Sequence, residues 1–221
     1  MLEQLIEQLA IHVGLSGILP KAFATAPLHG PLSFPVGDTI VRLETSEFPG
    51  IAIVEHLCLL ACHAAGIPTV DSKLAANGRA LLVKQFDWGK EGQRLGFEDF
   101  CALSGLPRTA KYASNMATLA GVLKMYCQEP GLDTLFTMVV MNTVLRNGDA
   151  HLKHFGLVYD DPADPRLAPA YDVVSTAVWI RDDRPALPLN QNAPLLGPPP
   201  KTCSFLVKRP VTCPARIWCL F

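Results

Sequence analysis

Three side chains in the stretch NTVLRNGDAHLKHFGLVYDDPADPRLAPAYD, residues 142 to 172, could share acid–base and electrostatic work: Asp149, Lys153 and Asp172. One carboxylate can accept or orient the proton of an attacking hydroxyl. A second can hold Mg²⁺ against phosphates. An ammonium such as that of Lys153 can offset charge on a moving phosphoryl group. Taken singly, each Asp has a plainer explanation: Asp149 as a turn residue after Asn147-Gly148, and Asp172 as the cap of a helix beginning near Val173. The combination points to phosphoryl transfer.

These groups need elements to position them. Upstream, the apolar run Leu135 to Leu145 (LFTMVVMNTVL) suits a buried helix or strand. Asn147-Gly148-Asp149 is turn chemistry, so a rigid element delivers Asp149 onto a loop. Phe155 to Tyr159 has strand length, Asp160-Asp161-Pro162 closes a turn, and Leu167 to Ala170 leads back to Tyr171-Asp172. A hairpin with one carboxylate before it and one after it lets the two face a shared site.

The stretch NGDAHLKHFGLVYDD…RLAPAYDVVST resembles the catalytic segment of the HipA family of serine/threonine kinases, the toxins of HipBA-type toxin–antitoxin systems. The family pattern there is Asp-x-His-x-Lys-Asn, a strand, then Leu-x-Pro-x-Tyr-Asp. The resemblance implies Asp149 as catalytic Asp with Lys153 beside it, Asp172 as the Mg²⁺ Asp, and ATP as phosphoryl donor. It also implies nucleotide contacts from His151 and Tyr171. Where the family has Asn as a second metal ligand this chain has His154, and imidazole is a poor Mg²⁺ ligand.

The N-terminal half fits the same resemblance in order. Residues 2 to 13 carry Leu2, Leu5, Ile6 and Leu9 on one helical face. The segment Ser16-Gly17-Ile18-Leu19-Pro20-Lys21 matches the family's phosphate-binding loop, with Leu19 in place of its Gln and Ser16 at a position that some members autophosphorylate. Residues 22 to 38 read as a loop or hairpin connection, and Asp38 to Glu44 as a strand. Arg42 stands where the family's Lys holds phosphates, although Arg and Lys are not equivalent. Phe48-Pro49-Gly50 breaks the chain before an apolar helix over 51 to 65, stopped by Gly66 and Pro68. Its one charged residue, Glu55, needs a partner, and Arg42 is the candidate. A hairpin across Asn77-Gly78 ends in Lys84-Gln85-Phe86, the expected adenine hinge. Trp88 to Gly96 reads as a polar linker and Phe97 to Leu103 as a short helix. A Gly-x-Pro segment and Lys111-Tyr112 follow, then helices over 119 to 127 and 132 to 145.

The fold expected is α+β and two-lobed, protein-kinase-like, with an N-lobe over 1–88, a partial C-lobe over 89–187 and a tail over 188–221. From Arg184 to Phe221 there are eight prolines, three cysteines and no acidic residue. The expectation is a disordered tail in place of further C-lobe helices, as a frameshift would leave. A net charge of −1 gives no electrostatic case for nucleic acid or membrane binding. The first residues lack the basic start of a signal peptide, and cytoplasm is the natural compartment. Cys58, Cys62, Cys101 and Cys127 read as buried thiols.

By resemblance the substrate is a protein, in the family a translation protein such as an aminoacyl-tRNA synthetase, and the partner a HipB-like DNA-binding antitoxin. Two other readings stand beside the kinase. One is a degenerate, non-catalytic pseudokinase that binds nucleotide or antitoxin. The other is a metal-dependent phosphohydrolase suggested by Gly148-Asp149-Ala150-His151 with His154, which lacks the other metal-ligand pairs that chemistry needs.

Overall fold

The structure, a computed structural model, describes residues 32–127 and 131–189. The helix expected over 2 to 13, the segment Ser16 to Lys21 and residues 190 to 221 lie outside the described residues.

Strands β1 (Leu32–Val36) and β2 (Thr39–Leu43) form a hairpin closed by Gly37 and Asp38, with Val36 opposite Thr39. Gly37 has φ 60, which a glycine adopts without penalty. Helix α1 (Ile51–Ala64) follows, then β3 (Ser72–Ala75) and β4 (Ala80–Lys84). The sheet is antiparallel in the order β1-β2-β4-β3. Pro35 lies in β1, an edge strand among the described residues, where its missing N–H costs no ladder bond with β2.

Alternation in β2 divides its side chains between two faces. Val41 and Leu43 pack with Ala80 in a small cluster on one face. Arg42 shares the other face with its cross-strand partner Leu81, which belongs to the main core with Ala52, Cys58, Leu59 and Cys62 of α1. The strand period therefore aims Arg42 toward α1.

The second sheet has the order β5-β6-β7: Gly96–Asp99, Gly156–Tyr159 and Arg166–Leu167. The short helix expected over Phe97 to Leu103 is only partly formed. Residues 97 to 103 are not one helix: the first part pairs with β6, from Gly96 opposite Tyr159 to Asp99 opposite Gly156. Only Phe100–Leu103 is helical (α2), and Asp99 caps it by accepting from the Ala102 amide at 2.9 Å. The turn before β5 is more ordered than a linker, because Trp88 bridges to Arg94, whose guanidinium lies 4.5 Å from the indole centroid.

Helices α3 (Met116–Tyr126) and α4 (Gly131–Val144) complete the C-lobe. Helix α3 begins earlier than its apolar run suggested because Asn115 caps it, accepting from the Thr118 amide at 3.0 Å. Leu119, Leu123, Leu135, Met138 and Val139 join Phe100, Leu152, Phe155 and Leu157 in one core continuous with α1. Leu187 is buried in it, and the carbonyls of Pro188 and Leu189 accept from the amides of Met116 and Ala117 at 2.8 and 3.2 Å. The start of the Pro-rich segment is thus docked on α3. Cys58, Cys62 and Cys101 are buried free thiols, whereas Cys127 is only partly buried. No helix among the described residues is long and apolar enough to cross a membrane.

Candidate active site

Helix α4 delivers Asp149 through a ladder of amide side chains. Buried Asn142 donates to the Met138 carbonyl at 2.8 Å and accepts from the Asn147 side chain at 2.7 Å. The Asn147 side-chain oxygen in turn accepts from the Asp149 amide at 3.1 Å. The amide of Gly148 is held by the Thr176 hydroxyl at 2.7 Å. These bonds fix the loop backbone while the Asp149 side chain stays 45% exposed, free to meet a substrate. Its Oδ1 accepts from the Tyr112 hydroxyl at 2.6 Å.

Beyond Asp149 the chain makes one 3-10 turn, Leu152–His154, that aims three side chains apart. Leu152 enters the core. Lys153 pairs with Asp99, so β5 holds the ammonium expected to face the phosphoryl group. The rings of His151 and His154 lie 3.9 Å apart, centroid to centroid. His151 Nε2 is 2.8 Å from Lys111 Nζ and 3.9 Å from Asp149 Oδ1. Its Nδ1 faces the Lys153 amide at 3.3 Å. A neutral imidazole has one lone pair, so these two donors compete and the lysine contact is the shorter. Burial, then the neighbouring His154, pushes His151 down to about 4, so it is neutral at pH 7.

The second carboxylate arrives by a return strand. Residues 68 to 70 and Ala170 are stitched together: the Val70 amide donates to the Ala170 carbonyl at 3.1 Å, and the Ala170 amide donates to that of Pro68 at 2.7 Å. This lays Asp172 under β2 and α1. Its φ of 56 is left-handed, a conformation that Asp tolerates better than most residues. Such outliers persist where surrounding contacts impose them. No helix starts at Val173; the next helical turn is Thr176–Val178, so Asp172 is not a helix cap.

Arg42 meets Glu55 as expected, Nη1 lying 2.9 Å from both carboxylate oxygens. The same Nη1 also binds Asp172 Oδ1, which makes Arg42 the bridge of a three-residue cluster. The other oxygen of Asp172 lies 3.2 Å from His154 Nε2. Burial raises both carboxyls, but their neighbours act differently on each. Asp172, beside Arg42 and His154, is held far below the usual carboxylate range. Glu55, 3% exposed and also facing Asp172, is pushed up to about 7 despite Arg42. For Arg42, burial is overcome by its two carboxylates and the guanidinium stays charged. Its Nε is buried with no hydrogen-bond partner among the described residues, a donor left over for an anionic ligand.

The expected hinge lines an open cleft with Thr69, Val70, Asp71 and Pro169. The amides of Lys84 and Gln85 are already used, donating to the carbonyls of Asp71 and Asp38 at 2.9 and 2.7 Å. Phe86 stacks 5.2 Å from the ring of Tyr171. The Tyr171 hydroxyl donates to the Lys153 carbonyl at 2.6 Å, which ties the return strand to the catalytic loop.

The structure thus gathers Asp149, His151, Lys153, His154, Tyr171 and Asp172 at the two ends of the β6–β7 hairpin, with Arg42 and Glu55 above. Sequence reasoning gave no role to Asp99, Lys111 or Tyr112. Asp99 has no local signal, because only the register of β5 on β6 brings it to Lys153. The Lys111-Tyr112 pair was visible as a matching dipeptide, but its partners lie about forty positions away.

Mg²⁺ takes several oxygen ligands in near-octahedral geometry. The residues present do not fit that requirement. Both oxygens of Asp172 are engaged, one by Arg42 and one by His154. An imidazole stands at the place of the expected amide oxygen.

Comparison with known proteins bears on the fold and the family. The chain is 28% identical over 195 residues to "Putative kinase Y4dM" of Sinorhizobium fredii (strain NBRC 101917 / NGR234), covering 79% of this chain and 47% of the relative. It is 31% identical over 190 residues to "Putative kinase Y4mE" of the same strain, covering 77% and 45%. The chain therefore spans less than half the length of these relatives. Among solved structures, it superposes on a chain of the Shewanella oneidensis MR-1 toxin–antitoxin complex of HipA, HipB and operator DNA. The TM-score is 0.63 at 19% identity, over 82% of this chain and 52% of that one. The Helicobacter pylori proinflammatory kinase CtkA gives 0.52 at 17%, over 72% and 58%. The fold is that of HipA-like kinases, a small β-rich lobe on a mainly helical one. The HipA-like C-terminal domain model matches residues 13–197, and with the ordered site just described this places the chain in that family.

Proposed function

We propose that this chain is the kinase portion of a HipA-type serine/threonine protein kinase, moving the γ-phosphoryl group of ATP onto a protein hydroxyl. The observation that carries the proposal is the convergence of Asp149, Lys153, Asp172 and the Arg42–Glu55 pair around one hairpin, in the order the family uses. Asp149 accepts the hydroxyl proton: it is exposed, on a rigid loop, and held by one phenol donor. Lys153, fixed by Asp99, offsets charge on the transferring group. Arg42 offers its free Nε to a nucleotide phosphate, and Phe86 and Tyr171 line the approach to the hinge. The protein substrate is a translation protein such as an aminoacyl-tRNA synthetase. The partner is a HipB-like DNA-binding antitoxin, and the compartment is the cytoplasm.

The test is incubation of folded protein with γ-labelled ATP and a divalent cation, beside an Asp149→Asn control. Label on the wild type alone, with Ser16 as an acceptor, is the expected result. Absence of label from a folded sample that still binds ATP overturns it. That outcome supports a non-catalytic nucleotide- or antitoxin-binding protein, a reading favoured by one observation: Asp172 has no free oxygen, and its neighbour at the amide position is His154.

A further inference from the structure

We propose that Asp149, His151 and His154 form a binding site for a borderline transition-metal ion, Zn²⁺ or Co²⁺, with a ligand set unlike that of a kinase Mg²⁺ site. One ligand atom from each residue lies within 4.8 Å of the others. Two imidazoles and one carboxylate suit such ions and not Mg²⁺, which prefers oxygen. Bonds of about 2.0–2.1 Å at tetrahedral angles put ligand atoms about 3.4 Å apart. His151 Nε2 and Asp149 Oδ1 are 3.9 Å apart, so a small rotation of the exposed Asp149 side chain closes the set. Three protein ligands leave a fourth position open.

A second observation singles out His154. Its Nε2 faces Asp172 Oδ2 at 3.2 Å, while its Nδ1 is buried with no hydrogen-bond partner among the described residues. A histidine whose one nitrogen donates to a carboxylate presents a lone pair on the other. That carboxylate–histidine arrangement is the usual support of a metal-bound imidazole. Asp172, which does not fit Mg²⁺ here, fits this supporting role. The lone pair of His151 Nε2 is meanwhile met by the ammonium of Lys111 at 2.8 Å. A cation already stands where the ion would bind, on a flexible and partly exposed side chain that can leave.

An ion in this site takes Asp149 away from a substrate hydroxyl, so occupancy and phosphoryl transfer exclude one another. That consequence rests on the kinase reading; the binding itself does not.

The experiment is titration of the intact chain with Co²⁺ in excess Mg²⁺, read by visible d–d absorption, with Zn²⁺ added to displace it. The expected result is one saturable set of bands that Mg²⁺ leaves in place and Zn²⁺ removes. His154→Asn and Asp149→Asn lose the bands while keeping the wild-type circular dichroism. Lys111→Met removes a competing charge a few ångströms away and tightens binding by about tenfold or more, a gain that a misfolded variant cannot mimic. Absence of bands from the wild type, or bands that persist in both Asn variants, overturns the proposal. So does unchanged affinity in Lys111→Met. Because no step reads phosphoryl transfer, a chain that labels no protein can still pass this test, and an active kinase can fail it.

Discussion

The two halves of the site handle charge in opposite ways. Above the hairpin, Arg42 bridges Glu55 and Asp172 in a cluster whose side chains are 17%, 3% and 31% exposed. Below it, Asp149 is 45% exposed, two donors compete for the one lone pair of His151, and His154 has a ring nitrogen with no partner among the described residues. The upper cluster is closed: its charges are paired, and removing one strands the others. The lower cluster is open, with an unpartnered ring nitrogen and a carboxylate held by one phenol. The upper cluster is dominated by mutual pairing, with only the Arg42 Nε left over, and the lower one by groups open to a ligand.

The sharpest break of that contrast is Arg42→Ala. It leaves the carboxylates of Glu55 and Asp172 facing each other without a cation. Loss of one partner from a buried ion cluster costs about 3–5 kcal/mol. Asp149→Ala removes an exposed side chain and one hydrogen bond, and costs about 1 kcal/mol or less. Urea unfolding of both variants measures the difference. Equal costs would mean that the upper cluster is no more structural than the lower.

The next test uses pH. Burial pushes Glu55 up to about 7 from an ordinary 4.5. An acid whose folded value is raised binds its proton more tightly in the folded chain. Its contribution is therefore fully present below about 4.5 and is lost as pH rises through about 7. The wild type should lose on the order of 3 kcal/mol between pH 4.5 and 7.5 relative to Glu55→Gln, which has no such proton to release. Thermal unfolding of the pair across that range reads it. A constant gap would show that Arg42 keeps Glu55 ionised throughout.

These clusters also differ in how far the sequence discloses them. The Arg42–Glu55 pair was legible because a lone acid inside an apolar helix needs a cation and the kinase-like Lys–Glu pairing names Arg42; that Arg42 lies on the helix side of β2 comes from the sheet register. The loop carrying Asp149 was legible from Asn-Gly turn chemistry after an apolar run, and helix α1 from its Gly50, Gly66 and Pro68 boundaries. Strand β5 was not. Phe97 to Leu103 reads locally as helix, and its first part is extended only because β6 offers a partner. Asp99 was hidden for the same reason, since its contact with Lys153 spans 54 positions and depends on that register. The involvement of Asp172 with Arg42 depends on the stitching of 68–70 to Ala170, a tertiary event that no local pattern announces.

The smallest effect is expected from Tyr112→Phe, and it tests the openness of the lower cluster most directly. Tyr112 is 47% exposed, and its phenol is raised above its ordinary value by partial burial and by Asp149, so it remains a neutral donor at physiological pH. Deleting the hydroxyl removes one hydrogen bond from a carboxylate that water can reach and solvate. The net loss for such a bond is about 1 kcal/mol or less, equivalent to a fall in Tm of no more than about 2–4 °C for a chain of this size. The liberated Asp149 gains freedom to turn toward His151 and His154, so Co²⁺ binding should hold or tighten while stability barely moves. A fall in Tm as large as that of Arg42→Ala would mean that Tyr112 and Asp149 form part of the folding framework. The division between a closed upper cluster and an open lower one would then be lost.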